Sequence, residues 1–241
     1  MNQTIAAVWF DLDDTLFDHT YAVCCGLDAV RLECHLGGRP SSELAVHYNR
    51  ALNSVYPAHL RGEFGFTEMR RRKLGLFYKS IGIAANEALP MEEFHCIYDM
   101  AYGTGRRATE GSVEVLANLK GLGISLSILT NGKQADQEQK LRDIGLEWMI
   151  PNLMTSEEAG ATKPDAKIYR WALERTGQVA GNVLMVGDNL ENDVEAALGS
   201  GLKAGYYAPG SCCDTVSTAH GPAPVIRQWH ELIDLLNRSP E

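Results

Sequence analysis

Apolar residues fall along this chain in two rhythms, and the change of rhythm divides it. Short unbroken apolar runs, too brief for a free-standing helix, read as buried strands. They are "IAAVWF" (5–10), "ISLSILT" (124–130), the weaker "MIPNLMTS" near residue 150, "NVLMVGD" (182–188) and "KAGYYA" (203–208). Beside them stand "GSVEVLANLKGLG", "KQADQEQKLRDIG", "DAKIYRWALERTG" and "LENDVEAALGSG". Each has apolar residues at helical spacing and a glycine where a C-cap would fall. Strand alternating with helix predicts an α/β fold, a parallel sheet covered on both faces.

The stretch from 18 to 106 breaks that alternation. It offers no strand, only amphipathic segments: "YAVCCGLDAVRLEC", "SSELAVHYNRALNSVY", "TEMRRRKLGLFYKSIG" and "MEEFHCIYDMAYG". Gly37-Gly38-Arg39-Pro40 and the glycines at 62 and 65 punctuate them. Roughly ninety residues is too long for a connection between neighbouring strands. The expected organisation is an α/β core made of 1–17 and 107–241, with an inserted all-helical domain over 18–106.

In an open parallel sheet, ligands gather beyond the C-terminal ends of the strands. Asp11 and Asp13 follow the first run, Thr130-Asn131-Gly132 the second, and Asp188 the fourth, with Asn192-Asp193 close behind. Lys163-Pro164 precedes the helix of "DAKIYRWALERTG". Crowded carboxylates repel one another and resist desolvation. A hard divalent cation shared by Asp11 and Asp188 removes that repulsion, and magnesium suits oxygen ligands. Thr130, the amide N–H groups after it and Lys163 can take the oxygens of a phosphoryl group. Asp11 can then act as nucleophile. Asp13, on the same side of an extended strand, can protonate the leaving group and later activate water.

In order, "DLDDTL", "LTNG", "TKPD" and "VGDNLENDV" resemble the four motifs of the haloacid dehalogenase (HAD) superfamily. The helical insertion after the first motif is similar to the cap of its subfamily I. The resemblance implies a Rossmann-like core with a helical cap and a Mg2+-dependent phosphatase of the nucleotidase-like branch. By position, it implies Asp11 as nucleophile and Asp13 as general acid/base. Thr130, Asn131 and Lys163 are the implied substrate-binding residues, with Thr130 and Lys163 at the phosphoryl-binding positions. Asp11, the backbone carbonyl of Asp13 and Asp188 match the metal ligands, with Asp193 supporting. One departure is visible: Ala196-Ala197 stands where the family often has Gly-Ala. The implied substrate is a small phosphorylated metabolite, a nucleoside monophosphate or a sugar phosphate. A phosphomutase shares every core residue. A 2-haloacid dehalogenase would lack an acid at Asp13 and need no metal. A non-catalytic HAD-like module would have lost Asp11.

The net charge of −9, from 31 acids against 22 bases, argues against a general grip on nucleic acid. No window approaches the ~20 apolar residues of a membrane span, and the N-terminus lacks a signal-peptide pattern. A cytoplasmic protein is expected, as monomer or homodimer. Six cysteines without zinc-like spacing read as reduced thiols, and the pairs Cys24-Cys25 and Cys212-Cys213 as packing residues. Arg70, Arg71, Arg72 and Lys73 read as a solvated face with one inward contact. Phe64, Phe66, Phe77 and Tyr78 read as core of the helical domain.

Overall fold

The computed structural model describes residues 5–33, 38–84 and 87–237. Cys34 and Gly37 lie outside them. The chain forms two compact units. One comprises the chain up to Asp18 together with that from Arg107 onward, the other His19–Arg106. Helices α1 (His19–Glu33), α2 (Ser41–Leu60), α3 (Phe66–Ile81) and α4 (Met91–Thr104) build the second unit. In the first unit are α5 (Ser112–Gly121), α6 (Gln134–Asp143), the single turn α7 (Ser156–Ala159), α8 (Ala166–Thr176), the short α9 (Ala196–Gly199) and α10 (Trp229–Asn237). No described helix is long and apolar enough to cross a membrane.

The first unit is organised by a seven-stranded sheet: β1 (Ala7–Phe10), β2 (Ser125–Thr130), β3 (Asn152–Thr155), β4 (Val183–Gly187), β5 (Lys203–Tyr207), β6 (Thr215–Thr218) and β7 (Gly221–Ile226). Their order is β3-β2-β1-β4-β5-β7-β6. All pairings are parallel except that of β6 with β7. β1 lies inside the sheet, between β2 and β4, with every residue fully buried, which is why its sequence is an unbroken apolar run. On one face Trp9, Leu129, Met154 and Met185 pack with Ile168, Tyr169 and Ala172 of α8 and with Ala197. At the far side Trp229 of α10 stacks on Tyr207 at 4.3 Å between ring centres and meets Phe10 edge-on at 5.8 Å.

Beyond residue 208, where the sequence expectation names no element, this unit adds the β6–β7 hairpin and α10, and one expected helix winds differently. The β6–β7 hairpin was not anticipated, because Pro222 and Pro224 make "GPAPVI" a poor strand on paper. Val225 donates its N–H to Asp214 O on the β6 side (2.9 Å), so alternation turns the prolines' missing donors the other way. On that side β5 pairs only with Val225 and Ile226. The helix that winds differently lies in "LENDVEAALGSG", expected as one ordinary helix. Leu190–Glu195 winds as a π-helical turn before α9 begins. Such turns recur at functional sites.

The helical unit buries one continuous core: Val23, Leu27 and Val30 of α1, Leu44 and Tyr48 of α2, Leu74 and Phe77 of α3, Phe94 and Tyr98 of α4. Phe77 and Tyr78 belong to it, but Phe64 and Phe66 do not. They flank the α2–α3 turn, where Phe66 is 49% exposed and Phe64 stacks against His59. Among the basic run, Arg71 and Arg72 pair with Glu68 and Arg70 with Asp99, while Lys73 is the inward residue. The described cysteines are free, and Cys212 and Cys213 are exposed, so that pair does not pack in a core. Both follow β5 in the loop that leads to the hairpin, outside the sheet's covered faces.

Candidate active site

The chain runs from β1 outward to β2 and β3, then crosses back to β4 on the other flank of β1. The crevice at this reversal is where an open α/β sheet offers a ligand site. Register brings the chemistry level there. Phe10 opposes Ile128 on one side and Val186 on the other, so Asp11 arrives beside Leu129 and Gly187. The Asp11 N–H is donated to Val186 O at 2.9 Å. The chain then turns sharply: the N–H groups of Leu16 and Phe17 both reach Leu12 O, at 3.1 and 2.9 Å. Asp14 takes up the turn in the left-handed region (φ 56°), which aspartate tolerates better than most residues. Thr15, fully buried, stitches this turn to β4. Its Oγ1 accepts the Asp188 N–H at 3.1 Å and lies 3.4 Å from Asp188 Oδ1.

Lys163 is the hub. Its Nζ donates to Asp11 Oδ1 at 2.6 Å, to Asp193 Oδ1 at 2.6 Å and to Leu129 O at 2.9 Å, which uses all three ammonium hydrogens. Burial alone would lower its pKa, but Asp11 and then Asp193 outweigh burial and hold it above the ordinary lysine value. The Lys163 backbone is held too. Asn131 Oδ1 accepts the Lys163 N–H (2.8 Å) and Asn131 Nδ2 donates to Lys163 O (3.0 Å). The Asn131 side chain is therefore spent on placing Lys163. The Lys163–Pro164 peptide bond is cis.

Carboxylate oxygens of Asp11, Asp188 and Asp193 lie within 4.8 Å of one another. Asp193 sits on the π-helical turn, where Oδ2 accepts the Asn189 N–H at 3.1 Å and Tyr169 Oη donates to Asn192 O one residue earlier. Gly187 makes room for it. A Cβ at that position would stand 2.3 Å from Asp193 Oδ2, so no side chain fits. Burial raises Asp11 to about 7; Lys163 opposes that rise, and Asp193 and Asp13 add repulsion. Burial, then Asp11 and Asp193, raise Asp188 to about 8. Both oxygens of Asp193 are engaged, by Lys163 and the Asn189 N–H, whereas the Lys163 bond to Asp11 uses Oδ1 alone and Asp11 still repels Asp188. Hard oxygen donors so placed fit a divalent cation such as Mg2+.

On the other flank, Thr130 ends β2 with its side chain buried. Its Oγ1 accepts from Gln137 Nε2 at 2.8 Å, so its own hydroxyl hydrogen remains to donate. Gly132 N donates to Ser156 Oγ at 2.9 Å, which ties the loop after Thr130 to the end of β3. Asp13 projects toward α6, where Lys140 Nζ meets both its carboxylate oxygens at 2.6 and 2.7 Å. The structure thus gathers Asp11, Asp193 and Lys163 into one hydrogen-bonded group with Asp188 beside it, and links Thr130 and Asp13 to each other through Gln137. Sequence reasoning had not singled out Thr15, Gln137, Lys140 or Tyr169. For Thr15 a signal existed, as the fifth residue of "DLDDT" after a strand; for the two α6 residues there was only their shared face, three positions apart.

A model of the haloacid dehalogenase-like hydrolase family matches residues 8–206, and the chain belongs to that family. It is 26% identical over 230 residues to the HAD-hydrolase YfnB of Bacillus subtilis, covering 95% of this chain and 94% of that one. The crystal structure of YfnB bound to magnesium superposes with a TM-score of 0.72 at 23% identity, over 98% of this chain and 100% of that one. The glyceraldehyde 3-phosphate phosphatase of Pyrococcus abyssi is 28% identical over 207 residues, 86% of this chain and 82% of its own. The pyrimidine 5'-nucleotidase YjjG of Escherichia coli is 39% identical over 93 residues, 38% of this chain and 41% of its own.

Proposed function

We propose that this chain is a magnesium-dependent phosphatase acting on a small phosphorylated metabolite through an aspartyl-phosphate on Asp11. The observation that carries the reading is the Lys163 ammonium held between Asp11 and Asp193 at the sheet's reversal point, with Asp188 alongside. Asp11, Asp188 and the Asp13 backbone carbonyl would hold the cation, which when bound supplies positive charge to the carboxylates and to a phosphoryl group.

A carboxylate oxygen of Asp11 forms the new O–P bond as the ester O–P bond breaks. The bonding pair departs on the alcohol oxygen, which takes a proton from Asp13 in its acid form, the state in which Lys140 holds only one of its two oxygens. Asp13, now a carboxylate, removes a proton from water, and the water oxygen attacks phosphorus. The aspartyl O–P bond breaks and Asp11 is restored. Thr130 donates its hydroxyl hydrogen to a phosphoryl oxygen throughout. Lys163, once Asp11 is esterified and has lost its charge, turns one N–H to the phosphoryl group. Two phosphatases among the relatives, one for a sugar phosphate and one for nucleotides, support this reaction class and give the first substrates to try.

The test is release of p-nitrophenol and inorganic phosphate from p-nitrophenyl phosphate, with magnesium and with EDTA, for the wild type and Asp11→Asn. Turnover is expected to require the metal and to fall to background in Asp11→Asn. Turnover undiminished by EDTA or by the substitution would overturn the mechanism.

A further inference from the structure

Helix α6 is polar along almost its whole length, yet Gln137 on it is 1% exposed and Lys140 has a side chain only 15% exposed. The two are three residues apart, hence on one face. Gln137 Nε2 donates to Thr130 Oγ1 at 2.8 Å and lies 3.3 Å from Asp13 Oδ2 and from Asn131 O. One amide nitrogen thus ties the residue that would hold the phosphoryl group to the residue that would protonate the leaving oxygen. Lys140 grips the same carboxylate through both oxygens, with its ammonium 5.6 Å from the Phe17 ring centre. Three acceptors around Nε2 fix the way the amide faces. That leaves Gln137 Oε1 buried without a donor among the described residues. An orphaned buried acceptor costs stability, and folds keep such a cost where position matters for function.

We propose that Lys140 and Gln137 are positioning residues that fix the Asp13 carboxylate relative to Thr130, and thereby set how well poor leaving groups are expelled. This rests on the reading of Asp11 and Asp13 given above. A departing p-nitrophenolate needs little help from a proton, whereas phenolate needs more, so misplacing Asp13 penalises the poorer leaving group selectively.

The experiment compares kcat/KM for p-nitrophenyl phosphate and phenyl phosphate in the magnesium-loaded full chain. A ratio within one preparation cancels any fraction of chain that has not folded. Lys140→Met is expected to lower both values, with phenyl phosphate falling about tenfold further. Lys140→Arg, which can still grip a carboxylate with two N–H groups, should recover most of the ratio. In an Asp13→Asn background, Lys140→Met should leave the ratio where Asp13→Asn alone puts it. Equal losses on both substrates, or a further shift of the ratio in the Asp13→Asn background, would overturn the proposal. A ratio unmoved by Asp13→Asn, turnover surviving Asp11→Asn, or no aryl phosphate turned over would instead overturn the underlying reading of the site, and the proposal with it.

Discussion

Each of the two units buries a lysine, and the two are stabilised by opposite means. Lys163 in the α/β unit meets two carboxylates at 2.6 Å and a backbone carbonyl at 2.9 Å, and stays charged. Lys73 in the helical unit meets aromatic faces: its Nζ lies 4.1 Å from the centre of the Tyr48 ring and 5.8 Å from that of Tyr98. Its side chain makes no hydrogen bond or ion pair among the described residues, and burial, then the Arg70 charge, lower its pKa to about 7. A buried charge with full hydrogen bonding is fixed in one place and can orient chemistry. One lodged against ring quadrupoles can lose its proton cheaply and orients little. That contrast separates a site from a core, and it can be tested from both ends.

The largest effect should follow Lys163→Met. It strands Asp11 and Asp193, both nearly inaccessible to water, without their shared cation. Removing one partner of a buried pair costs about 3–5 kcal/mol, because the remaining charge is uncompensated. The unfolding midpoint in urea, followed by tryptophan fluorescence, reads this unit directly, since Trp9, Trp148, Trp171 and Trp229 all lie in it. A loss below about 1 kcal/mol would mean that the carboxylates escape to water, and that Lys163 holds no more than a surface ion pair does.

A smaller effect should appear in the metal-free protein as pH is varied. Asp11 is raised to about 7 and Asp188 to about 8, from 3.8. A carboxyl with a raised folded pKa stabilises the fold while it is protonated. Its contribution is complete below the unfolded value and is lost as pH rises through the folded one. In EDTA, Tm should therefore fall between pH 5 and pH 8.5, by at least about 4 °C. Magnesium should restore more of it at pH 8 than at pH 5, since it binds the carboxylate forms. A flat or rising metal-free Tm across that window would show that the acidic cluster is already relieved by other means.

The two buried lysines were not equally visible in the sequence. Lys163 stands before a proline and a helix within an alternating α/β pattern, so its motif announces where it goes. Asp11, Thr130 and Asp188 are legible for the same reason: each ends an apolar run, and strand ends meet at one edge. Lys73 sits fourth in a run of basic residues on a helix, where periodicity says that one must face inward but not which. Gln137 and Lys140 carry little signal because α6 is polar apart from Ala135 and Leu141; only the position of Asp13 gives them a role. The β6–β7 hairpin was hidden by prolines whose missing donors point where no strand needs them. Patterns of burial show in a sequence; polar side chains that find each other across elements do not.

The smallest and most discriminating effect should come from Lys73→Met. A flexible apolar side chain of similar length keeps the packing against Tyr48 and Tyr98 and removes the cost of burying charge. At pH 7 the stability of the helical unit, read from its near-ultraviolet tyrosine signal, should be unchanged or higher by about 1 kcal/mol. The pH dependence carries the sign. Lys73 has a folded pKa below its unfolded value, so its contribution is complete above the unfolded value of 10.5 and is lost as pH falls toward 7. The wild type should therefore gain on Lys73→Met as pH rises from 7 to 9. Destabilisation by more than about 2 kcal/mol at pH 7 would show that the ammonium over the Tyr48 ring is itself a structural bond. The difference between the units would then be one of partner chemistry alone, with both lysines held as cations.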